Sequence, residues 1–156
     1  MSATSGPDGC GLCAGNDAVA DGSAPPRERV HLTDRWRLTA HRSALAGWML
    51  LIPRRHVESL HELTDAEAAE LGPLIRAATA VMVDELGAAK SYVMQFAEGT
   101  RHAHFSLVPR MADLPVDRVG AKVSAYNSSD EPLPEARRDE LAARLSAAWP
   151  AARSSL

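Results

Sequence analysis

The segment His102-Ala103-His104-Phe105-Ser106-Leu107-Val108-Pro109 constrains this chain most. Polar and apolar residues alternate in it. That rhythm belongs to a strand, where successive side chains point to opposite faces. His102, His104 and Ser106 then share one surface, while Ala103, Phe105 and Leu107 share the other and can pack on a core. A helix would place residues two apart about 200° round and scatter the histidines. A strand from Arg101 to Pro109 therefore gathers two imidazoles and a hydroxyl on one face. Such a face suits phosphate chemistry by histidine, with one ring as nucleophile and polar neighbours holding oxygens. It also suits a half-buried strand with polar punctuation, because H-x-H alone is a weak pattern.

The rest of the chain supplies partners for that strand. Trp36 to His41 alternates like a strand, and the apolar run Trp48 to Pro53 reads as a central one. Ser91 to Ala97 is a further strand candidate, joined to the histidine strand by a tight turn at Glu98-Gly99-Thr100 to form an antiparallel hairpin. Val30 to Asp34 is a short strand or an irregular turn. Leu63 to Leu86 carries helical periodicity behind a capping box, Thr64 with Glu67, and stops at Gly87. Gly72-Pro73 should kink or split this helix, because proline lacks the amide donor. Glu135 to Trp149 reads as a terminal helix. Gly15 to Arg29, rich in Gly, Asp, Ala and Pro, reads as a loop.

With 156 residues the chain fits one domain with one sizeable core. There are 17 basic and 20 acidic side chains, so no basic surplus advertises nucleic-acid binding. No stretch approaches the ~18 consecutive apolar residues of a membrane span, and the N-terminus lacks a signal-peptide pattern. A cytoplasmic protein is the default expectation. In that setting Cys10 and Cys13 are better read as thiols or metal ligands than as a disulfide. Their C-x-x-C spacing is half of a zinc site. No second C-x-x-C exists, so completing it would need histidines, and His31, His41, His56, His61, His102 and His104 are all candidates. A pair of ordinary reduced thiols is the plain alternative. A redox pair is weaker, since no strand precedes the motif and no helix clearly follows it.

Taken in order, these pieces resemble the histidine triad superfamily, in particular its zinc-bearing bacterial branch. The resemblance runs from about Cys10 to Arg110. It rests on C-G-L-C, on G-W-M-L-L-I-P-R-R-H-V-E-S-L, on a helix opening at L-T-D-A-E, and on H-A-H-F-S-L-V-P-R. It implies an α+β fold: an antiparallel sheet of about five strands, one long helix and a C-terminal helical tail. The corresponding organisation is a flexible segment over 1–9, the domain over 10–126, and a linker with a helix over 127–156. A homodimer is implied by resemblance only.

The resemblance also assigns roles. His104 matches the middle histidine of the family motif, which attacks the α-phosphate of a nucleotide and forms a nucleotidyl-histidine intermediate. Cys10, Cys13, His56 and His102 match the ligands of a structural zinc. The implied activity is a nucleotide hydrolase or nucleotidyl transferase acting on a nucleoside phosphate or dinucleoside polyphosphate. The alternative is a catalytically weak nucleotide-binding protein that keeps the zinc. Two departures bear on that choice. Ser106 stands where the third histidine would be; its hydroxyl can donate to a phosphate oxygen but carries no charge. The acid or amide that commonly contacts the ribose is missing, and His41 or Ser43 could stand in. Gln95 or Thr100 could add a polar contact, and Arg110 could neutralise a distal phosphate or remain a solvated arginine.

Overall fold

The computed structural model describes residues 7–150, so most of the segment expected to be flexible, 1–9, lies outside the described residues. The elements in chain order are α1 (Gly11–Asp21), β1 (His31–Leu32), β2 (Trp36–Ala40), β3 (Met49–Pro53), α2 (Asp65–Leu86), β4 (Lys90–Met94), β5 (Phe105–Arg110), the short α3 (Ala125–Ser128) and α4 (Glu135–Ala147). The strands form one antiparallel sheet in the order β1-β2-β3-β5-β4. This is the expected α+β architecture with its five strands, long helix and C-terminal helix.

Register fixes the two faces. Leu38 sits opposite Leu51, Ala40 opposite Met49, Met49 opposite Leu107, and Leu51 opposite Phe105. Together with Trp36 these side chains make one face of the sheet, packed against Leu74, Ala78, Val81 and Met82 of α2 and Leu141, Ala142 and Leu145 of α4. The opposite face carries Arg37, Thr39, Leu50, Ile52, Ser106 and Val108, the residues of the intervening pleats. A smaller apolar cluster, Trp48, Leu50, Ile52, Val108 and Val123, covers part of that second face. The rest is where the polar chemistry gathers.

Four local expectations need correction. The Gly15–Arg29 segment is not all loop, because α1 runs to Asp21. The Cys10 Sγ accepts the Cys13 amide at 3.4 Å as an N-cap, and Gly22 (φ 82°) closes the helix in the left-handed conformation. α2 is not split at Pro73 but runs as one helix through it, which overturns the splitting half of that expectation. Pro73 and Ala69, whose carbonyl loses its donor, both lie on the exposed side of the helix, where water can serve that carbonyl. The link between β4 and β5 is a ten-residue loop, 95–104, rather than a three-residue turn. The fourth concerns β5, which begins at Phe105, so His102 and His104 precede the sheet ladder instead of standing within it. The capping box of α2 forms as its spacing predicts, with Thr64 and Glu67 exchanging hydrogen bonds of 2.8 and 3.1 Å. Gly47 is required between β2 and β3: its φ is 90°, and a Cβ there would come within 2.3 Å of Leu86. Among the described residues no helix is long and apolar enough to cross a membrane.

Candidate metal centre and active site

The N-terminus of α1 meets the segment before β5 at a cluster of four donors. Cys10, Cys13, His56 and His102 place one ligand atom each within 4.8 Å of one another. The His102 Nδ1 lies 3.5 Å from Cys10 Sγ and 3.4 Å from Cys13 Sγ, and the His56 Nδ1 lies 3.3 Å from Cys13 Sγ. A tetrahedral zinc with ordinary Zn–S and Zn–N bonds has ligand–ligand edges of roughly 3.4–3.8 Å. The donors therefore already stand close to the edges of that tetrahedron.

Proton placement agrees. The His102 Nε2 is 2.9 Å from the carbonyl oxygen of Pro53. A carbonyl can only accept, so Nε2 carries the hydrogen and Nδ1 turns its lone pair toward the thiols. His102 is fully buried, and burial pushes its pKa down and keeps the ring neutral. Cys10, Cys13, His56 and His102 form a Cys2His2 zinc site. With four protein ligands it is closed, which makes it structural. No disulfide joins the two cysteines. The C-x-x-C does open a helix, so the sequence-based ground against a redox pair does not hold. What decides for metal is the arrival of two imidazoles.

α1 is locked to the sheet by Arg37 of β2. Its guanidinium is fully buried and donates to Asn16 Oδ1 at 2.7 Å, to Glu28 Oε2 at 2.6 Å, and to the carbonyl of Leu12 at 3.1 Å. Leu12 lies between the two cysteines, so the metal loop hangs directly on the sheet. Gly15 is needed here, because a Cβ would fall 2.6 Å from Arg37 Nη2.

His104 faces the other way. Its Nδ1 lies 2.9 Å from the carbonyl of His102, which fixes the hydrogen on Nδ1 and leaves the Nε2 lone pair available. Two adjoining cavities of about 260 and 280 Å³ share His104, His41, Leu50 and Thr100 in their walls. The first adds Leu12, Ile52, Thr39, Glu28, Arg42 and Arg138. The second adds Ser106, Met94, Phe96, Glu98 and Asn127 among others. Burial, with His104 and Arg138 nearby, pushes the His41 pKa down to about 4, so this ring is neutral at neutral pH.

Of the residues anticipated from sequence, His104, Ser106, His41 and Thr100 converge on the cavities. Gln95 lines neither of them. Arg110 sits at the opposite end of β5, where its Nη1 donates to the carbonyls of Met111 and Ala112. Ser43 is buried and its Oγ accepts from the Leu45 amide, an internal turn bond. His61 is exposed beside Ser59, and His31 stacks on Trp149 at 4.2 Å. Sequence reasoning passed over Arg138 and Glu28. Arg138 had a readable signal: it falls on the same helical stripe as Leu141, Ala142 and Leu145, where an arginine is out of place.

No protein-family model matches the sequence, and no curated protein matches it. Solved structures do. A Hit-like protein from Bartonella henselae, described as involved in cell-cycle regulation, superposes with a TM-score of 0.63 at 18% identity, over 84% of this chain and 92% of that one. The chain has the histidine triad fold. A zinc-bound histidine triad family protein from Mycobacterium smegmatis aligns with a TM-score of 0.63 at 19% identity, over 85% of this chain and 89% of that one. The diadenosine triphosphate hydrolase of Plasmodium falciparum aligns at 0.61 and 14% identity, over 78% and 76%.

Proposed function

We propose that the protein is a nucleotide hydrolase or nucleotidyl transferase that acts at the α-phosphate through His104. The observation that carries this is the His104 tautomer: Nδ1–H is held by the His102 carbonyl, and Nε2 is presented between two cavities. Nε2 attacks phosphorus, the bond to the leaving group breaks, and the leaving group departs with the electron pair. The resulting nucleotidyl-imidazolium keeps its Nδ1–H on the carbonyl, which stabilises the positive ring. Water then adds to phosphorus, the P–N bond breaks, a proton is released, and a nucleoside monophosphate leaves. Ser106 donates to a non-bridging oxygen. Cys10, Cys13, His56 and His102 hold zinc as a structural element and take no part in these steps.

Charge around the second cavity bears on the substrate. Its wall has one acid, Glu98, and no lysine or arginine. Such a wall favours a leaving group of low negative charge, so a nucleoside phosphoramidate should serve better than a dinucleoside polyphosphate. A second reading, a nucleotide-binding protein with weak turnover, is favoured by Ser106 at the third motif position. Nucleotide release from an adenosine phosphoramidate and from a diadenosine polyphosphate, compared with His104→Asn, separates the two. Release that vanishes in the variant supports the enzyme. Nucleotide binding without release in either protein leaves the binding reading, and equal release from both points to another active site.

A further inference from the structure

Arg138 reaches the first cavity from the opening turn of α4 and is more than nine-tenths buried. Its Nη1 donates to the carbonyl of Ala40 at 3.3 Å. Its Nε is buried with no partner, and Nη2 has no hydrogen-bond partner among the described residues. The carboxylates on its own helix are committed elsewhere: Glu135 and Asp139 both face Arg27, at 3.3 and 2.9 Å, and Glu140 faces Arg137 at 2.8 Å. Glu28, on the same cavity wall, is engaged by Arg37 through Oε2. A buried guanidinium with no anionic partner is costly, and one flank of its donor fork is unspent. The fold tolerates that cost at the wall of a cavity whose other residues include Leu12, Leu50 and Ile52, an apolar slot suited to a flat ring.

We infer that Arg138 is a specificity-determining residue that selects guanine over adenine in the first cavity. This rests on the nucleotide reading given above. With the α-phosphate at His104, the nucleoside fills the first cavity and its base edge meets Arg138. Guanine presents O6 and N7 as adjacent acceptors, the pair that an arginine fork matches. Adenine presents an amino donor in place of O6, and a donor would then face a donor. The Glu28 Oε1 adds an acceptor to the same wall for the N1–H and N2–H donors of guanine.

Calorimetric titration of the full zinc-loaded chain with GMP, AMP and adenosine 3′,5′-bisphosphate tests this. GMP is expected to bind at least about tenfold more tightly than AMP. Arg138→Met, which keeps the stem packing, should bring that ratio near one. Arg138→Lys, which keeps the charge and loses the planar fork, should leave a reduced preference and serves where the methionine variant fails to fold. Equal binding of GMP and AMP overturns the inference while leaving the nucleotide reading standing. So does a preference that survives both substitutions. A preference for the bisphosphate over GMP that disappears in Arg138→Met would mean that the acceptor is a second phosphate, and the guanine assignment falls. If no nucleotide binds at millimolar concentration, the nucleotide reading falls and this inference with it.

Discussion

His102 and His104 are two residues apart on the segment that leads into β5, and each places one ring nitrogen against a backbone carbonyl. They use opposite nitrogens. His102 spends Nε2 on Pro53 and turns Nδ1 to two thiols; His104 spends Nδ1 on His102 and turns Nε2 to open space between cavities. The surroundings differ as much. His102 is fully buried at a closed cluster, while His104 is half-buried at a wall. The same side chain therefore serves as a metal ligand, or keeps Nε2 free for the attack proposed above, according to which nitrogen the backbone occupies. The carbonyl of His102 holds His104 Nδ1, so the metal end of the segment sets the tautomer of the proposed nucleophile.

The sharpest way to break this pairing is to exchange one histidine at a time. His104→Asn should lower nucleotide release by about a thousandfold or more, a barrier increase of roughly 4 kcal/mol, with zinc content and melting temperature unchanged. His102→Asn should do the reverse first: zinc is lost, and stability falls with it. Single-turnover release assays, metal analysis and thermal melts on both variants decide the matter. If both variants lose zinc, the division of labour between the two rings is wrong.

Removing a thiol tests the metal end alone. Cys10→Ser should lower bound zinc below one per chain and lower the melting temperature by on the order of 10 °C, since several kcal/mol of metal-linked stability is lost and the sheet core remains. Arg37 still anchors α1 through Asn16 and Leu12, so far-ultraviolet circular dichroism should stay close to that of the parent. A melting temperature and zinc content that do not move would remove the metal site from the structure's account.

At the cavity end, His41 gives a pH signature. Its pKa is pushed down to about 4, so the folded protein holds it neutral while the unfolded chain protonates it near 6.5. The unfolded state then binds more protons between those values, and stability must fall as pH drops from about 6.5 to about 4. The loss should approach about 3 kcal/mol at most. Burial also lowers the His31 and His102 pKa values, and these add in the same direction. Denaturant unfolding of the parent and of His41→Gln, measured across this range, isolates the His41 share as the difference in slope. Parallel curves would show that His41 titrates normally.

How legible these two ends were in the sequence follows from the kind of signal each uses. For the zinc ligands, spacing marks only the C-x-x-C as half of a site; all six histidines stood open as partners, and the family resemblance alone singled out His56 and His102. The sheet was legible in part: the alternation in Trp36–His41 and the apolar run Trp48–Pro53 mark β2 and β3, although every residue of β2 is buried, so the alternation there separates two covered faces and not core from solvent. α1 was not, since Gly, Asp and Ala in Gly15–Asp21 look like loop composition, and a cysteine N-cap is not a signal usually sought. The cavity was legible only in part. His41 and Thr100 lie next to recognisable motifs, whereas Arg138 arrives from a helix 34 residues beyond His104, and only tertiary packing puts it there. Arg110 misled for a related reason: adjacency along β5 is distance in space, since six strand residues carry it to the far end of the sheet.

The smallest expected effect concerns Ser106, where the two ends of the segment differ least in sequence and most in consequence. Ser106 lines the second cavity and pairs across the sheet with Leu50 and Met94. A neutral hydroxyl can give a phosphate oxygen one hydrogen bond, and losing one such bond in the transition state is worth about tenfold in rate. Ser106→Ala should therefore slow release about tenfold with zinc content unchanged. Ser106→His tests the same position from the other side, because a protonated imidazole adds charge that the hydroxyl lacks. If Ser106→His raises release of a polyphosphate more than that of a phosphoramidate, the serine is tuned to leaving groups of low charge, in keeping with Glu98 on the same wall. If both substrates gain equally, the serine is a general loss of transition-state stabilisation. If Ser106→Ala changes nothing, the oxygen is held elsewhere, and the Thr100 hydroxyl, shared by both cavities, becomes the group to replace next.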